Sequence, residues 1–546
     1  MKDTFRQSMK WFHTWVGLVV GWVLFFIFIT GSIGYFYKEV THYMEPERPL
    51  INHQLSKSDM LDKAQQYMSI YASDVQAWDV FLPSSRDANL QVGWRHAPKE
   101  GESRGKYIKQ VLDANTGQQV ITRATGGGRS LYRMHYRLHY LETRLSYWIV
   151  GFCTMLMLLA VITGVVIHKK IFSDFFTFRA KKGLPGWLDS HNVLSVIALP
   201  FHFMITYSGL LFFPFIYMAL SVSIQTNEQE LNELMDEVYP SYAEVTPANT
   251  PAKMQSLSSL YEQTKTIWSD DKLELVEIYA ANDINAHIRF SRGVTDITYN
   301  PSDEIVFNGV TGEIISEPER QYTVSSMIHN GFISLHEGQF SATIVRWLYF
   351  FTGLIGAAMI ASGLVLWTTK RKSQQMKKPN GPDFGYRLVE QLNIGTIVGL
   401  PIAIASYFYG NRLLPVEMAN RAEWEIHLLF ISWALLLTYP AYRPKAKAWS
   451  EQLHLAAAVF IFMPVLNALT TDKHLGITLS HGDWLYAGFD LTMLAIGLTF
   501  AFAGFKFKKS QRNKTSQSKS AKTQRSNIKT TVDNELVLNK ENSGVL

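Results

Sequence analysis

Cysteine is almost missing from this chain: there is one among 546 residues, Cys153, and it lies inside an apolar run. That count excludes disulfides in the polar segments and cysteine-ligated iron–sulfur or zinc sites, so metal chemistry here has to rest on histidine. Other signatures are missing as well. Gly126-Gly127-Gly128 has no Lys-Ser/Thr after it and no strand before it, so it reads as a flexible hinge rather than a phosphate loop. No catalytic triad appears, no dinucleotide fingerprint follows an expected strand, and no flavin domain is visible, so an electron donor has to be a separate molecule. His135 and His139 share a helical face, but Tyr136-Arg137-Leu138 between them lack the glutamate of a zinc protease. Carboxylates are nearly absent from the apolar runs, Asp490 excepted, which leaves little to couple ions for transport.

What is present is apolar and segregated. Hydrophobic residues make up 47%, with 33 Phe, 25 Tyr and 14 Trp. Uncharged runs predict eight membrane spans, near 15–37, 145–167, 192–218, 345–367, 390–410, 425–441, 452–470 and 484–505. The first ends in Lys38-Glu39 rather than a small-residue cleavage site and reads as a retained anchor. Basic residues collect at alternate ends: Lys2, Arg6 and Lys10; Lys169, Lys170, Arg179, Lys181 and Lys182; Lys370, Arg371, Lys372, Lys377 and Lys378; Arg443, Lys445 and Lys447; and the tail from Lys506. The positive-inside rule makes all of these cytoplasmic, with both termini inside and the segments 40–140 and 222–340 in the opposite compartment. Topology thus accounts for the net charge of +6 without a nucleic-acid partner.

The fold class that follows is a mainly α-helical polytopic membrane protein carrying two small α+β domains, built by duplication of a helix–domain–helix unit. Its expected organisation is 1–37 (start and first span), 38–143 (first domain), 144–168, a basic loop 169–190, 191–220, 221–342 (second domain), 343–368 and a loop 369–387. A four-helix extension (388–505) and a disordered tail (506–546) complete it. In each polar segment a short helix (56–72; 255–268) precedes strands (75–82, 90–94, 107–112; 273–280, 286–291, 295–299). Matching turns follow, Asp113-Ala114-Asn115-Thr116-Gly117 and Asn308-Gly309-Val310-Thr311-Gly312.

Four histidines repeat with the unit. Eighteen residues beyond His13 and His191 come the glycines of Thr30-Gly31 and Ser208-Gly209. Thr116-Gly117 precedes His139 by about the distance that separates Thr311-Gly312 from His336, and apolar runs ending near Gly164 and Gly363 close the two copies. Equivalent histidines in parallel repeats lie at equal depth, so His13 and His191 would face each other at one membrane edge, and His139 and His336 at the other. Paired imidazoles on rigid helices suit axial ligation of two haems, an electron wire across the bilayer.

Alternatives remain open. His191 and His202 are eleven residues apart, roughly 16 Å and 20° on a straight helix, so one helix could serve both haems, with His202 partnering His139 or His336. His168 could replace His13. Arg133, Arg137, Arg144 and Arg346 could hold propionates or simply snorkel, and His329 could stand behind a ligand or near substrate. In the extension, His427, His454, His474, His481 and Asp490 could form a third redox or quinol site; hydrogen bonding between helices is the expectation. His42, His53, His96 and His287 read as surface residues.

The strings "WFHTWVGLVVG", "DANTG", "YRLHY" and "SLHEG", in this order and architecture, resemble the PepSY-associated transmembrane family over about residues 5–372. The resemblance implies a bacterial inner-membrane protein linked to iron uptake, with haem b and ferric siderophore reduction in the periplasm. Its electrons would come from a quinol or a cytoplasmic reductase. It says little about the four spans after Lys372. A transporter or a regulator whose outer domains bind a periplasmic partner is the competing class.

Overall fold

The computed structural model describes residues 4–49, 55–75, 77–84, 86–96, 105–168, 175, 183–213, 227, 229–230, 245–268, 272–293, 304–316, 323–338 and 343–542, the backbone alone from 514. The expected strand 295–299, the end of the third span beyond Phe213, Lys2, His53, and the basic residues Lys169, Lys170, Arg179, Lys181 and Lys182 lie outside these.

Helix α1 (Phe5–Gly34) is apolar over most of its length, and Gln7 accepts from the Thr4 N–H at 2.9 Å to close its first turn. A short α2 (Tyr37–Met44) leads into the polar domain. There α3 (Lys57–Tyr71) precedes β1 (Ala77–Phe81), β2 (Leu90–Arg95), β3 (Tyr107–Leu112) and β4 (Gln119–Val120). The chain returns through α4 (Gly127–Tyr136) to α5 (Thr143–Ile167), whose first turn is capped by the Glu142 carboxylate accepting from Arg144 and Leu145 N–H groups, both at 2.9 Å. The second copy runs α6 (Leu184–Ile197), α7 (Leu199–Leu210), α8 (Leu257–Trp268), β5 (Leu273–Tyr279), β6 (His287–Arg292), β7 (Glu304–Asn308), β8 (Ile314–Ser316), α9 (Val324–Glu337) and α10 (Thr343–Gln375).

The two polar segments do not form separate domains, as their sequences suggest. Their strands make one antiparallel sheet in the order β4-β3-β2-β1-β5-β6-β7-β8. Each half alone would leave β1 or β5 as an open edge, and pairing the two removes both edges. The junction register sets Trp78 opposite Ile278 and Val80 opposite Val276. Those side chains share one core with α3 and α8, including Leu61, Met68, Tyr261, Phe290 and Phe307. Full burial of each such side chain stabilises the domain by roughly 1.5–3 kcal/mol. The turns after β3 and β7 match: Asp113 Oδ1 accepts from the N–H groups of Asn115 and Thr116, and Asn308 Oδ1 from those of Val310 and Thr311. Gly117 and Gly312 close them at φ +72° and +78°, a region open to glycine.

The remaining helices are α11 (Phe384–Ile397), α12 (Gly399–Leu413), α13 (Arg421–Thr438), α14 (Lys445–Thr470) and α15 (Trp484–Asn542). Among the described residues, six helical stretches are long and apolar enough to cross a membrane, seven if the bent pair α6–α7 counts as one. The expected span 425–441 overlaps α13, which starts four residues earlier, stops at Thr438 and carries Arg421, Glu423 and Glu425 in its first turns; a 3-10 turn, Tyr439–Ala441, follows. Helix α13 nevertheless returns along its neighbours: Gly410 meets Glu425 and Leu428, Gly399 meets Leu436 and Gly395 meets Leu437. The last helix continues to Asn542 where the composition suggested disorder; no glycine or proline interrupts the chain between Gly504 and Gly544.

Candidate cofactor site: two facing histidine pairs

At the end of α1 away from the sheet, His13 reaches across to α5, its Nδ1 2.9 Å from the Ala160 carbonyl and 3.3 Å from Thr163 Oγ1. His191 on α6 does the same to α10, with Nδ1 2.9 Å from the Met359 carbonyl and 3.3 Å from Ser362 Oγ. The two rings face each other with centroids 6.4 Å apart.

At the sheet end His135 of α4 docks on α1, its Nδ1 2.8 Å from the Ile27 carbonyl. His336 of α9 docks on α7, Nδ1 2.9 Å from Ser208 Oγ. These centroids are 6.1 Å apart.

One local device holds all four rings. The receiving helix presents a Ser or Thr followed by glycine: Thr163-Gly164, Ser362-Gly363, Thr30-Gly31 and Ser208-Gly209. The hydroxyls of Thr163, Ser362, Thr30 and Ser208 fold back onto carbonyls of their own helices, so the hydroxyl needs no other partner in an apolar setting. The glycine then lets the imidazole lie against the backbone. A Cβ on Gly31 would stand 2.5 Å from His135 Nδ1; on Gly209 and Gly363 it would stand 3.1 Å from Cε1 of His336 and His191, and on Gly164 3.4 Å from Cε1 of His13. With Nδ1 engaged, Nε2 of each ring has no hydrogen-bond partner among the described residues.

The arrangement fits a metal bound between each pair. Metal–imidazole bonds of about 2 Å put the centroids of two rings on opposite sides of one ion roughly 6 Å apart. Anchoring Nδ1 on a carbonyl or hydroxyl fixes the tautomer and leaves Nε2 to ligate. Ile27 lies fourteen residues beyond His13 on α1, so the pairs are separated by roughly 21 Å of helical rise. A cavity of about 350 Å³ opens around the sheet-side pair, walled by Leu24, Phe28, Val150, Met157 and Phe213, with Tyr37, Arg86, Tyr132 and Glu337 also on its wall. That is within the range of cofactor pockets.

The expected far-side pair of His13 and His191 is therefore assembled. At the sheet side the structure brings His135, not His139, to His336. The reason is local: α4 ends at Tyr136 and Arg137 is extended (φ −134°, ψ 110°), so His139 leaves the helical face it was expected to share with His135. His139 turns to α13, with Nε2 3.4 Å from Glu423 and its ring stacked on Phe430. His202 does not share a straight helix with His191, because α6 and α7 meet at 67°. Pro200, which has no N–H to give to α6, stands at that break. His202 packs between Phe28 and Phe201, buried, in the wall behind the cavity. His168 ends α5 and its Nε2 lies 3.1 Å from Asn192 Nδ2, while the ring paired with His191 is that of His13. His329 stands two turns before His336 on α9. Arg346 is committed to Glu39 at 2.7 Å and to Thr343, whereas Arg133 and Arg144 are exposed. Arg86, which no sequence motif singles out, lines the cavity beside Tyr37 while bonding the Tyr35 carbonyl and Glu39.

Position of His135 depends on the C-terminal extension. The fully buried Arg421–Glu425 pair grips the segment before α4: Thr125 Oγ1 donates to Glu425 at 2.6 Å, Arg421 donates to the Ala124 carbonyl at 2.8 Å, and Tyr407 donates to the Gly127 carbonyl at 2.9 Å. Gly126-Gly127-Gly128 is no flexible hinge, since Gly128 lies so close to α2 that a Cβ would strike the Tyr37 carbonyl at 2.2 Å. His42 is fully buried rather than on the surface, against Tyr486 of α15. Asp490 bonds Tyr43 and Asn467, both at 3.1 Å, the interhelical bonding expected of it.

An uncharacterized protein of Pseudomonas aeruginosa is 22% identical over 295 residues, covering 51% of this chain and 71% of its own length. The model of the PepSY-associated TM region matches residues 10–370, which contain all four paired histidines and both halves of the sheet. The chain thus belongs to the PepSY-associated TM region family.

Proposed function

We propose that the protein is a haem-b membrane oxidoreductase, with one haem between His13 and His191 and a second between His135 and His336. The observation that carries this reading is the fourfold use of one docking device to hold four imidazoles in two facing pairs with centroids near 6 Å. A haem held so would cycle between ferric and ferrous states and carry one electron at a time. The chain's own part is to fix ring tautomer and orientation and to space the two sites along α1. Two sites spaced along α1 suit one-electron transfer between a separate donor, a quinol or a cytoplasmic reductase, and an acceptor in the periplasm beside the sheet. A ferric siderophore is the acceptor that fits the family resemblance, because reduction to Fe(II) loosens hard-oxygen chelation. Membrane orientation with the sheet in the periplasm of the inner membrane and both termini cytoplasmic follows from the basic loops.

The test is the reduced-minus-oxidised visible spectrum of the detergent-purified protein together with its haem-to-protein ratio. A low-spin b-type spectrum near two haems per chain is expected, and His13→Ala and His336→Ala should each remove about one. A colourless protein after expression with ample haem would overturn the reading in favour of a transport or regulatory role.

A further inference from the structure

Outside the two pairs, a third group of proton-active side chains gathers where the loop between α4 and α5 meets the start of α13. Tyr140 donates to or accepts from His427 Nδ1 at 2.6 Å, and its ring lies parallel to that imidazole. His139 Nε2 is 3.4 Å from the Glu423 carboxylate, and Trp424 stands edge-on to His427. We propose that His139, Tyr140, Glu423 and His427 form the site at which a lipid-soluble quinol binds and is oxidised; the proposal rests on the haem reading above.

Access is from the bilayer side. Tyr140 is 58% exposed and Trp424 42%, and the apolar Leu141 and Leu145 beside them are exposed as well. Aromatic faces offered to lipid next to hydrogen-bonding groups match an amphipathic ring compound better than a water-soluble one. Quinol oxidation releases two electrons and two protons, so it needs two proton acceptors within reach of two hydroxyls. His427 serves one hydroxyl. The His139–Glu423 pair serves the other, and Glu423, its side chain 59% exposed, passes protons on to water.

The electrons have a packed route. Phe430 stacks on His139 with centroids 6.0 Å apart, Trp433 follows at 6.3 Å, and Trp433 stacks on Phe26 at 5.4 Å. Phe26 precedes Ile27, whose carbonyl holds His135. The balance is quinol to quinone, with its two electrons reducing two ferric haems to ferrous, one each, and its two protons leaving through His427 and Glu423. On this account the extension after Lys372 is the donor module, since Glu423, His427, Phe430 and Trp433 all belong to α13.

The experiment uses the full-length haem-loaded protein in liposomes, mixed anaerobically with decyl-tailed benzoquinol or naphthoquinol analogues while haem reduction is followed in the visible. Wild type should be reduced by at least one analogue. His427→Ala and Glu423→Gln should each slow that reduction at least tenfold, with haem content and the dithionite-reduced spectrum unchanged. Wild-type rates in both variants, or no reduction of wild type by either quinol, would overturn the quinol site and leave the haem reading intact. A protein without haem would overturn both.

Discussion

Each paired imidazole lies against one glycine, and the tightest contact is the most sensitive. At Gly31 a methyl group would overlap His135 Nδ1 at 2.5 Å, and neither the backbone of α1 nor a ring anchored on Ile27 can yield cheaply. Gly31→Ala should therefore displace His135 and cost the sheet-side haem while leaving the far-side one, so the haem-to-protein ratio falls from near two towards one. Gly164→Ala, at 3.4 Å from His13 Cε1, meets an ordinary contact distance and should keep both. Equal losses in the two variants would show that glycine at these places serves helix packing alone. The repeat of Gly31, Gly209, Gly164 and Gly363 was legible in the sequence because spacing survives duplication. What they receive was not, because whether His135 or His139 meets His336 depends on the extended turn at Arg137, which no periodicity announces.

Among the elements, α4 is held from outside the family's own region. Its N-terminal approach is bonded by Arg421, Glu425 and Tyr407 of α12 and α13, and the Arg421–Glu425 pair has no exposure at all. Breaking a buried ion pair from one side leaves an uncompensated charge and costs about 3–5 kcal/mol, whereas replacing both partners by apolar groups is far milder. Glu425→Ala should lower the thermal midpoint of the purified protein and loosen the sheet-side haem. The double variant Arg421→Met, Glu425→Leu should recover only the part of the midpoint that the unpaired charge costs and should still loosen the sheet-side haem, because the bonds to Ala124 and Thr125 are lost with the pair; a double variant that holds this haem as tightly as wild type would remove the clamp. The apolar runs disclosed these helices as membrane elements but not this role. Arg421, Glu423 and Glu425 read in the sequence only as charges near the start of a span, and their partners lie about 300 residues away at Ala124 and Thr125.

For the whole molecule, the two halves of the sheet meet along β1 and β5, and there Asp79 stands directly opposite Glu277. Like charges at such a position are destabilising. Tyr107 donates to Asp79 at 2.6 Å and Arg289 binds Glu277, which relieves part of it. Burial raises the Asp79 carboxyl above its usual range, with the Tyr107 hydrogen bond opposing the rise and Glu277 adding to it. The folded chain thus holds this proton more tightly than the unfolded one, so stability is lost as pH rises through the folded value. Asp79→Asn should raise the thermal midpoint at pH 7.5 and give no gain at pH 4; an unchanged or lowered midpoint at pH 7.5 would show that the carboxylate is fully compensated. Sequence revealed two copies of helix, strands and turn, but not that they share a sheet. Edge pairing of two similar halves depends on which strand is left open, and alternation within a strand reports only which face is buried.

The most direct measurement is haem content and the reduced-minus-oxidised spectrum of wild type, His135→Ala and His139→Ala, purified side by side. Two haems in wild type, about one in His135→Ala and two in His139→Ala are expected. Loss of a haem in His139→Ala with both retained in His135→Ala, or no haem in wild type, would contradict the paired-histidine assignment.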